Sequence, residues 1–321
     1  MNVLRQSIQN FVLALACLSG VASAQPTPAE IPGVLEAWIN DGNVQRSMVQ
    51  SIGVRFDRNA VDLVPEDALR IRSLDTGAMV NLSGALFRYD PVNNSANWVL
   101  DRQPTALLPD GNYIAWIETD KLLAAPERFV CGPGLPPVDD FVFGFHQYAG
   151  DADGDRDVDF RDSSLFRMAW QQRIENERYR DYLDFNLSDL IETTDQGEIR
   201  STYFSVLPSV PGIHLYLRND TGDDLSDLRT DRYAVGVGGV DVVDSAVWVA
   251  RLNGGPDADV SALLNASGGV LDEATIDAIF GSPLTIGTYS LTVEMRNEAD
   301  ELLATDTLEF EYLGEIDCGP Y

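Results

Sequence analysis

Apolar and polar residues alternate with a period of two along most of this chain. From 31 to 149 the segments VLEAWI, MVQSIGVRF, LRIRSL, ALFRY, NWVL, NYIAWIE and FVFGFHQY are short and rich in aromatic and β-branched residues. They are separated by clusters of Asp, Asn, Pro and Gly, the pattern of strands joined by turns. Residues 210 to 314 repeat this character in IHLYLR, YAVGVGGV, AVWVARL, TYSLTVEM and TLEFEYL, with DEATIDAIF predicting one short helix after Gly268 and Gly269. Both stretches predict antiparallel sandwiches. Between them, within 163 to 206, the period changes: Leu165, Phe166, Ala169 and Trp170, then Ile199, Tyr203 and Phe204, fall at helical spacing. The expected fold is mainly β with a small α insert, organised as 31–149, 150–206 and 210–314 with a tail at 315–321.

The first 24 residues read as an export signal: Arg5 supplies a positive end, Phe11 to Leu18 an apolar stretch, and Ala22, Ser23 and Ala24 a small-residue cleavage site. A lipid-anchored Cys17 is the alternative, but Ala14 and Leu15 stand in the wrong order for a good lipobox. No later apolar run approaches the ~20 residues that span a bilayer, so a secreted or cell-surface protein without a transmembrane segment is expected.

A formal charge of -29 changes the range of partners. Such a chain repels nucleic acid and anionic lipid and attracts cations. Cys131 and Cys318, each followed by Gly-Pro, can pair in an oxidising compartment or remain thiols; sequence leaves both open.

The acidic residues are concentrated in GDADGDRDVDFRD, from Gly150 to Asp162, where six aspartates meet only two arginines. A hard cation wants six to eight oxygens, and the EF-hand loop presents them from positions 1, 3, 5, 7 (a backbone carbonyl), 9 and 12. Counted from Asp151, those positions hold Asp151, Asp153, Asp155, the carbonyl of Asp157, Asp159 and Asp162, with aliphatic Val158 at position 8. Position 8 normally plugs the core beneath the loop and pairs with its counterpart in a partner loop. A candidate partner begins 33 residues later: Asp184, Asn186, Ser188, the Leu190 carbonyl, Glu192 and Asp195, with Ile191 at position 8.

The segments trailing the two loops also align, Phe166 with Ile199, Arg167 with Arg200 and Trp170 with Tyr203. A solvated acidic turn predicts no such duplication; a pair of calcium loops does. Position 6, usually Gly because its φ is positive, is Arg156 in one loop and Asp189 in the other, at a cost of about 1 kcal/mol for a non-Gly residue. Loop 1 offers carboxylates at five side-chain positions and loop 2 at three, so loop 1 is expected to bind more tightly.

Paired loops with Asp at position 12, an aliphatic at 8 and one trailing helix each resemble a type I dockerin module over 150–206. The resemblance implies calcium and a protein partner, cohesin-like or on a cell surface. Dockerins usually carry small hydroxyl residues at positions 10 and 11, where this chain has Phe160 and Arg161, then Thr193 and Thr194; the first pair departs from the pattern. VQRSMVQSIGVRFD, LPDGNY and FGFHQYAGDADGD resemble the sandwich that precedes dockerin-like pairs in large secreted bacterial proteins. LYLRNDTGDD and DVSALLNASGGVLDEATIDAI resemble bacterial immunoglobulin-like adhesin repeats. That likeness makes Asn219, Asp220, Asp223 and Asp224 either a junction cation site or an ordinary polar hairpin. LPDGNYIAWI and LTIGTYSLTV share a Gly-x-Tyr entry to a strand, which resembles the tyrosine corner of immunoglobulin-like sandwiches and singles out Tyr113 and Tyr289.

Catalytic chemistry finds little material. His146 and His214 are the only histidines, both on strand-like segments and read as incidental; no GxSxG elbow or Walker loop occurs, and the GVGG at Gly236 to Gly239 lacks a following helix. The sequence therefore predicts a non-catalytic, secreted, calcium-ordered protein of structural, adhesion or assembly role. The rival is a carbohydrate-active or polysaccharide-binding component that docks through its dockerin-like module.

Overall fold

The computed structural model describes residues 32–100, 108–122, 139–218, 229–230, 233–243, 245–265 and 268–313. The segment expected to be an export signal, Cys131, Cys318, the tail at 315–321 and the candidate junction residues Asn219, Asp220, Asp223 and Asp224 lie outside the described residues. The described residues all fall within one compact unit.

The strands, in chain order, are β1 Val34–Ile39, β2 Ser51–Phe56, β3 Leu69–Ser73, β4 Leu86–Asp90, β5 Ser95–Val99, β6 Gly111–Ile117 and β7 Phe141–Gln147. After helices α1 Phe160–Ala169 and α2 Thr193–Thr202 come β8 Gly212–Leu217, β9 Arg229–Thr230, β10 Val235–Val240, β11 Val247–Leu252, β12 Ala258–Asp259, β13 Leu264–Asn265 and β14 Gly268–Leu271. Helix α3 Glu273–Phe280 precedes β15 Gly287–Arg296 and β16 Leu302–Tyr312. The fold is mainly β with a small α insert, as its periodicity predicts. The two-residue strands β9, β12 and β13 are too short to leave a periodic signal, and the strand expected from Met48 begins only at Ser51.

Two sheets, ordered β1-β2-β5-β4 and β3-β6-β7, enclose the first core. Ile52, Val54 and Trp98 from one face Leu69, Ile71, Tyr113 and Ile117 from the other, and the Trp98 indole donates to the Glu66 carbonyl at 2.6 Å. The second core lies between β13-β14-β10-β8 and β12-β11-β15-β16-β9, where Leu215, Val235 and Val237 meet Trp248, Leu291, Val293 and Phe310. All pairings are antiparallel among the described residues except that of β9 with β16.

Strand β6 is buried at every residue. One face feeds the first core, while Ile114 and Trp116 on the other pack with Val240. Double coverage explains its nearly unbroken apolar run. Beside this contact His214 stacks on Trp116 with ring centroids 3.9 Å apart, and Arg72 donates to Asp306 at 2.7 Å and to the Ile213 carbonyl. The β10 glycines permit close packing: a Cβ at Gly236 would strike the Tyr216 ring, and one at Gly238 would crowd Val142.

Tyr113 donates its hydroxyl to the Pro109 carbonyl at 2.6 Å and Tyr289 to that of Thr285 at 2.7 Å, each four residues upstream. The shared entry motif thus has the same geometry in both sandwiches.

Candidate metal centre

The insert opens at Gly150, shortly after β7, and its two loops are built alike. In loop 1 the Asp151 carboxylate accepts N–H groups from Gly154 (2.6 Å), Asp155 (3.2 Å) and Arg156 (3.1 Å). In loop 2 Asp184 accepts from Ser188 (3.0 Å) and Asp189 (2.8 Å). The position-12 side chain closes each loop. Asp162 accepts from Ala152 (2.8 Å) and Asp159 (2.7 Å), and Asp195 from Phe185 and Glu192, both at 2.8 Å. All four carboxylates are fully buried. Asp162 and Asp195 also cap the trailing helices from their third positions.

The sixth residues, Arg156 and Asp189, sit at φ of 75° and 60°. This is the left-handed turn that the EF-hand scheme normally gives to Gly, adopted here despite side chains that disfavour it. Backbone shape therefore follows the ligand scheme even where residue type departs from it.

Val158 and Ile191 are both fully buried and share one apolar cluster with Phe166, Ala169, Leu183 and Ile199. Their backbones, however, do not pair with each other as expected. Each pairs with the segment leaving the other half's helix: Phe204 N–H donates to the Val158 carbonyl at 2.7 Å and Gln171 N–H to that of Ile191 at 2.9 Å. The reason is the helix ends, since Gln171 and Phe204 adopt φ of 59° and 63° and turn the chain back across the partner loop. The helical spacing past Trp170 likewise stops there, leaving turns and one 3₁₀ turn at Asp181–Leu183.

Within loop 1 the ligand-type oxygens of Asp151, Asp153 and Asp155 lie within 4.8 Å of one another, as do those of Asp157, Asp159 and Asp162. The ligand scheme uses only the carbonyl of Asp157; its carboxylate also joins the acidic group. Asp153 Oδ1 and Asp157 Oδ1 are buried without a hydrogen-bond partner. Burial first, then the charges of Asp162, Asp155 and Asp151, pushes the Asp153 carboxyl up to about 6. Burial and neighbouring aspartates raise Asp157 as well. Orphaned, crowded carboxylate oxygens cost free energy unless a cation meets them.

Loop 2 is more nearly self-satisfied. Asn186 Nδ2 donates to Glu192 Oε1 at 3.2 Å, and Ser188 Oγ to the Leu190 carbonyl at 3.1 Å. Those groups occupy the third, ninth, fifth and seventh positions, so the oxygens of loop 2 already have hydrogen-bond partners and gain less from a cation than the orphaned oxygens of loop 1.

Sequence reading missed two participants. His146, read as incidental, donates from Nε2 to Asp151 Oδ2 at 2.8 Å, with both side chains buried. Arg46 N–H donates to the Asp151 carbonyl at 2.9 Å, so the first loop residue is held by the first sandwich. Strand alternation from buried Phe145 to His146 offers no local signal for that contact. Two cavities elsewhere, of about 190 Å³ beside Val80 to Ala85 and about 350 Å³ between Arg72 to Leu74 and Leu302 to Thr305, have no acidic lining among the described residues.

No protein-family model matches the sequence, and no curated protein matches it. Solved structures with local similarity include the extracellular domain of a one-component system from B. thetaiotaomicron, 14% identical over 35% of this chain and 16% of that one, with a TM-score of 0.22. The fibronectin(III)-like modules of CbhA from Clostridium thermocellum are 7% identical, covering 89% of this chain and 98% of theirs, at 0.22. A tetra-tandem repeat from the extending region of a large adhesion protein is 9% identical, covering 86% and 48%, at 0.20. This chain spans about 16% of the length of the first. Superposition at this level carries no functional argument, and among the described residues no helix is long and apolar enough to cross a membrane.

Proposed function

We propose that this is a secreted, calcium-ordered modular protein with a structural, adhesion or assembly role, its two loops forming a dockerin-like, EF-hand-like pair between two immunoglobulin-like sandwiches. The observation that carries the reading is the pair of buried, unpartnered oxygens on Asp153 and Asp157 inside a loop whose backbone already follows the calcium scheme. Asp151, Asp153, Asp155, Asp159 and Asp162 with the Asp157 carbonyl would hold the first ion. Asp184, Asn186, Ser188, Glu192 and Asp195 with the Leu190 carbonyl would hold the second.

Bound calcium converts the mutual repulsion of these aspartates into ligation. Because the unfolded chain lacks the site, binding free energy becomes folding free energy, about 2.7 kcal/mol at a hundredfold excess over Kd. Thermal unfolding of the full chain in millimolar calcium and in chelator tests this: the melting temperature should rise with calcium, and coincident curves would remove the reading. A cohesin-like or cell-surface protein partner belongs to the same proposal.

A further inference from the structure

Arg156 and Asp189 hold equivalent places in the two loops, and their backbones behave alike. Each N–H donates to the first aspartate of its loop. Each carbonyl accepts from the strand-like segment leaving the other half, Leu207 N–H at 2.8 Å and Ile174 N–H at 3.2 Å. The side chains differ: Asp189 is exposed, whereas the Arg156 guanidinium is largely covered and reaches both sandwiches.

Its Nη1 donates to Asn112 Oδ1 on β6 at 2.6 Å. Its Nη2 donates to Asp241 Oδ2, immediately after β10, at 3.2 Å. Both acceptors are themselves fixed to the segment that connects the insert to the second sandwich. Asn112 Nδ2 donates to the Pro208 carbonyl at 3.0 Å, and Ser209 Oγ donates to Asp241 Oδ2 at 2.7 Å. One side chain, projecting from a strained backbone position inside the acidic loop, thus closes a polar bridge between sheets on either side.

We propose that Arg156 couples the cation held by loop 1 to the contact between the two sandwiches. The proposal rests on the calcium reading above and specifies how that site is put to use. A cation draws the loop carboxylates inward, which holds Asp151 Oδ2 beneath the Arg156 N–H and keeps the backbone left-handed. The guanidinium is then aimed at Asn112 and Asp241. Without a cation the crowded aspartates spread, the turn relaxes, and both polar bridges part, leaving the apolar patch of Ile114, Trp116 and Val240, the His214–Trp116 stack and the Arg72–Asp306 pair to hold a looser contact. A Gly at position 6 would relieve the strain but lose the bridge, which accounts for an arginine at this place.

Coupling between two sites is reciprocal, so the bridge must tighten calcium as much as calcium tightens the bridge. Asp241 is no ligand and lies 85 residues from Arg156, yet Asp241→Asn should weaken the tighter calcium step of the full chain about 5-fold. Asn tolerates the positive φ of 50° at this position, so the backbone is spared. In small-angle scattering the unaltered chain should show a smaller radius of gyration in calcium than in chelator, whereas Arg156→Gly should bind calcium without that reduction.

Unchanged affinity in Asp241→Asn, or calcium-dependent compaction retained in Arg156→Gly, overturns the coupling. Calcium binding by the unaltered chain with superimposable scattering in calcium and chelator also overturns it, while leaving the calcium site standing. Failure of the chain to bind calcium in calorimetry removes both.

Discussion

His146 Nε2, near the end of β7, donates to Asp151 Oδ2 at 2.8 Å, both side chains hidden from solvent. The first residue of the acidic loop is therefore oriented by the sandwich that precedes it. An outer partner of a ligating carboxylate typically changes metal affinity 10- to 100-fold when removed. His146→Gln should lower the tighter calcium affinity by about 10-fold while leaving the weaker step unchanged, as read by isothermal titration. Equal loss at both steps would count against this assignment.

The two loops should also differ in rank. Loop 1 leaves Asp153 and Asp157 oxygens buried and unpartnered, whereas loop 2 satisfies Asn186, Ser188 and Leu190 among its own groups. Asp162→Ala should abolish the tighter calcium step and Asp195→Ala the weaker one. Both remove a carboxylate that caps a helix, so each should also destabilise the chain by about 1 to 2 kcal/mol in chelator. Two equal steps, or loss of the tighter one in Asp195→Ala, contradicts the ranking.

The matched geometry of the two loops is legible in the sequence because the proposed ligand scheme repeats on a fixed local spacing, and the 33-residue offset between Asp151 and Asp184 places the second loop from the first. The tyrosine corners are legible for the same reason: each hydroxyl returns to a carbonyl only four residues upstream. The long-range contacts are not. Arg156 meets Asn112 and Asp241, and Val158 meets Phe204, through chain reversals that residue spacing does not encode. Residue type at position 6 even misleads, since Arg156 and Asp189 adopt a glycine-like φ under constraint from both flanking segments.

Gly154 marks another such contact. Its φ is 81°, and a methyl group there would overlap the Val44 carbonyl oxygen, a backbone atom that cannot swing aside. Gly154→Ala should destabilise the protein by about 3 kcal/mol, combining positive-φ strain with overpacking. Chemical denaturation in calcium checks the value, and a change within experimental error would mean that segment 43–48 yields freely.

The two tyrosine corners should rank by burial. Tyr113 is almost wholly buried and its hydroxyl, held by Pro109, is pushed above the ordinary tyrosine range chiefly by burial. Tyr289 makes the same bond at a more exposed corner. The first bond is part-buried and the second exposed, so water replaces the lost hydroxyl less readily at the first corner. Tyr113→Phe should cost about 2 kcal/mol and Tyr289→Phe about 1 kcal/mol. Denaturant midpoints giving the reverse order would show that the second corner is the more tightly constrained.

On the outer sheet of the second sandwich Glu294 receives Arg251 and Arg296, the latter through Nη2 at 2.5 Å and Nε at 2.9 Å. Its hydrogen bond to Arg251, opposed by partial desolvation and helped by Arg296, holds the carboxyl below the ordinary glutamate value. A depressed folded-state value means that the folded chain binds this proton less tightly than the unfolded one. The stabilisation is therefore present above the ordinary glutamate range and disappears as pH falls through the depressed value. Glu294→Gln should melt earlier than the unaltered chain at pH 7, and the two melting temperatures should converge as the solution is acidified below about 4. A gap that persists undiminished in acid would assign the loss to packing around Met295 and Val293 rather than to the ion pairs.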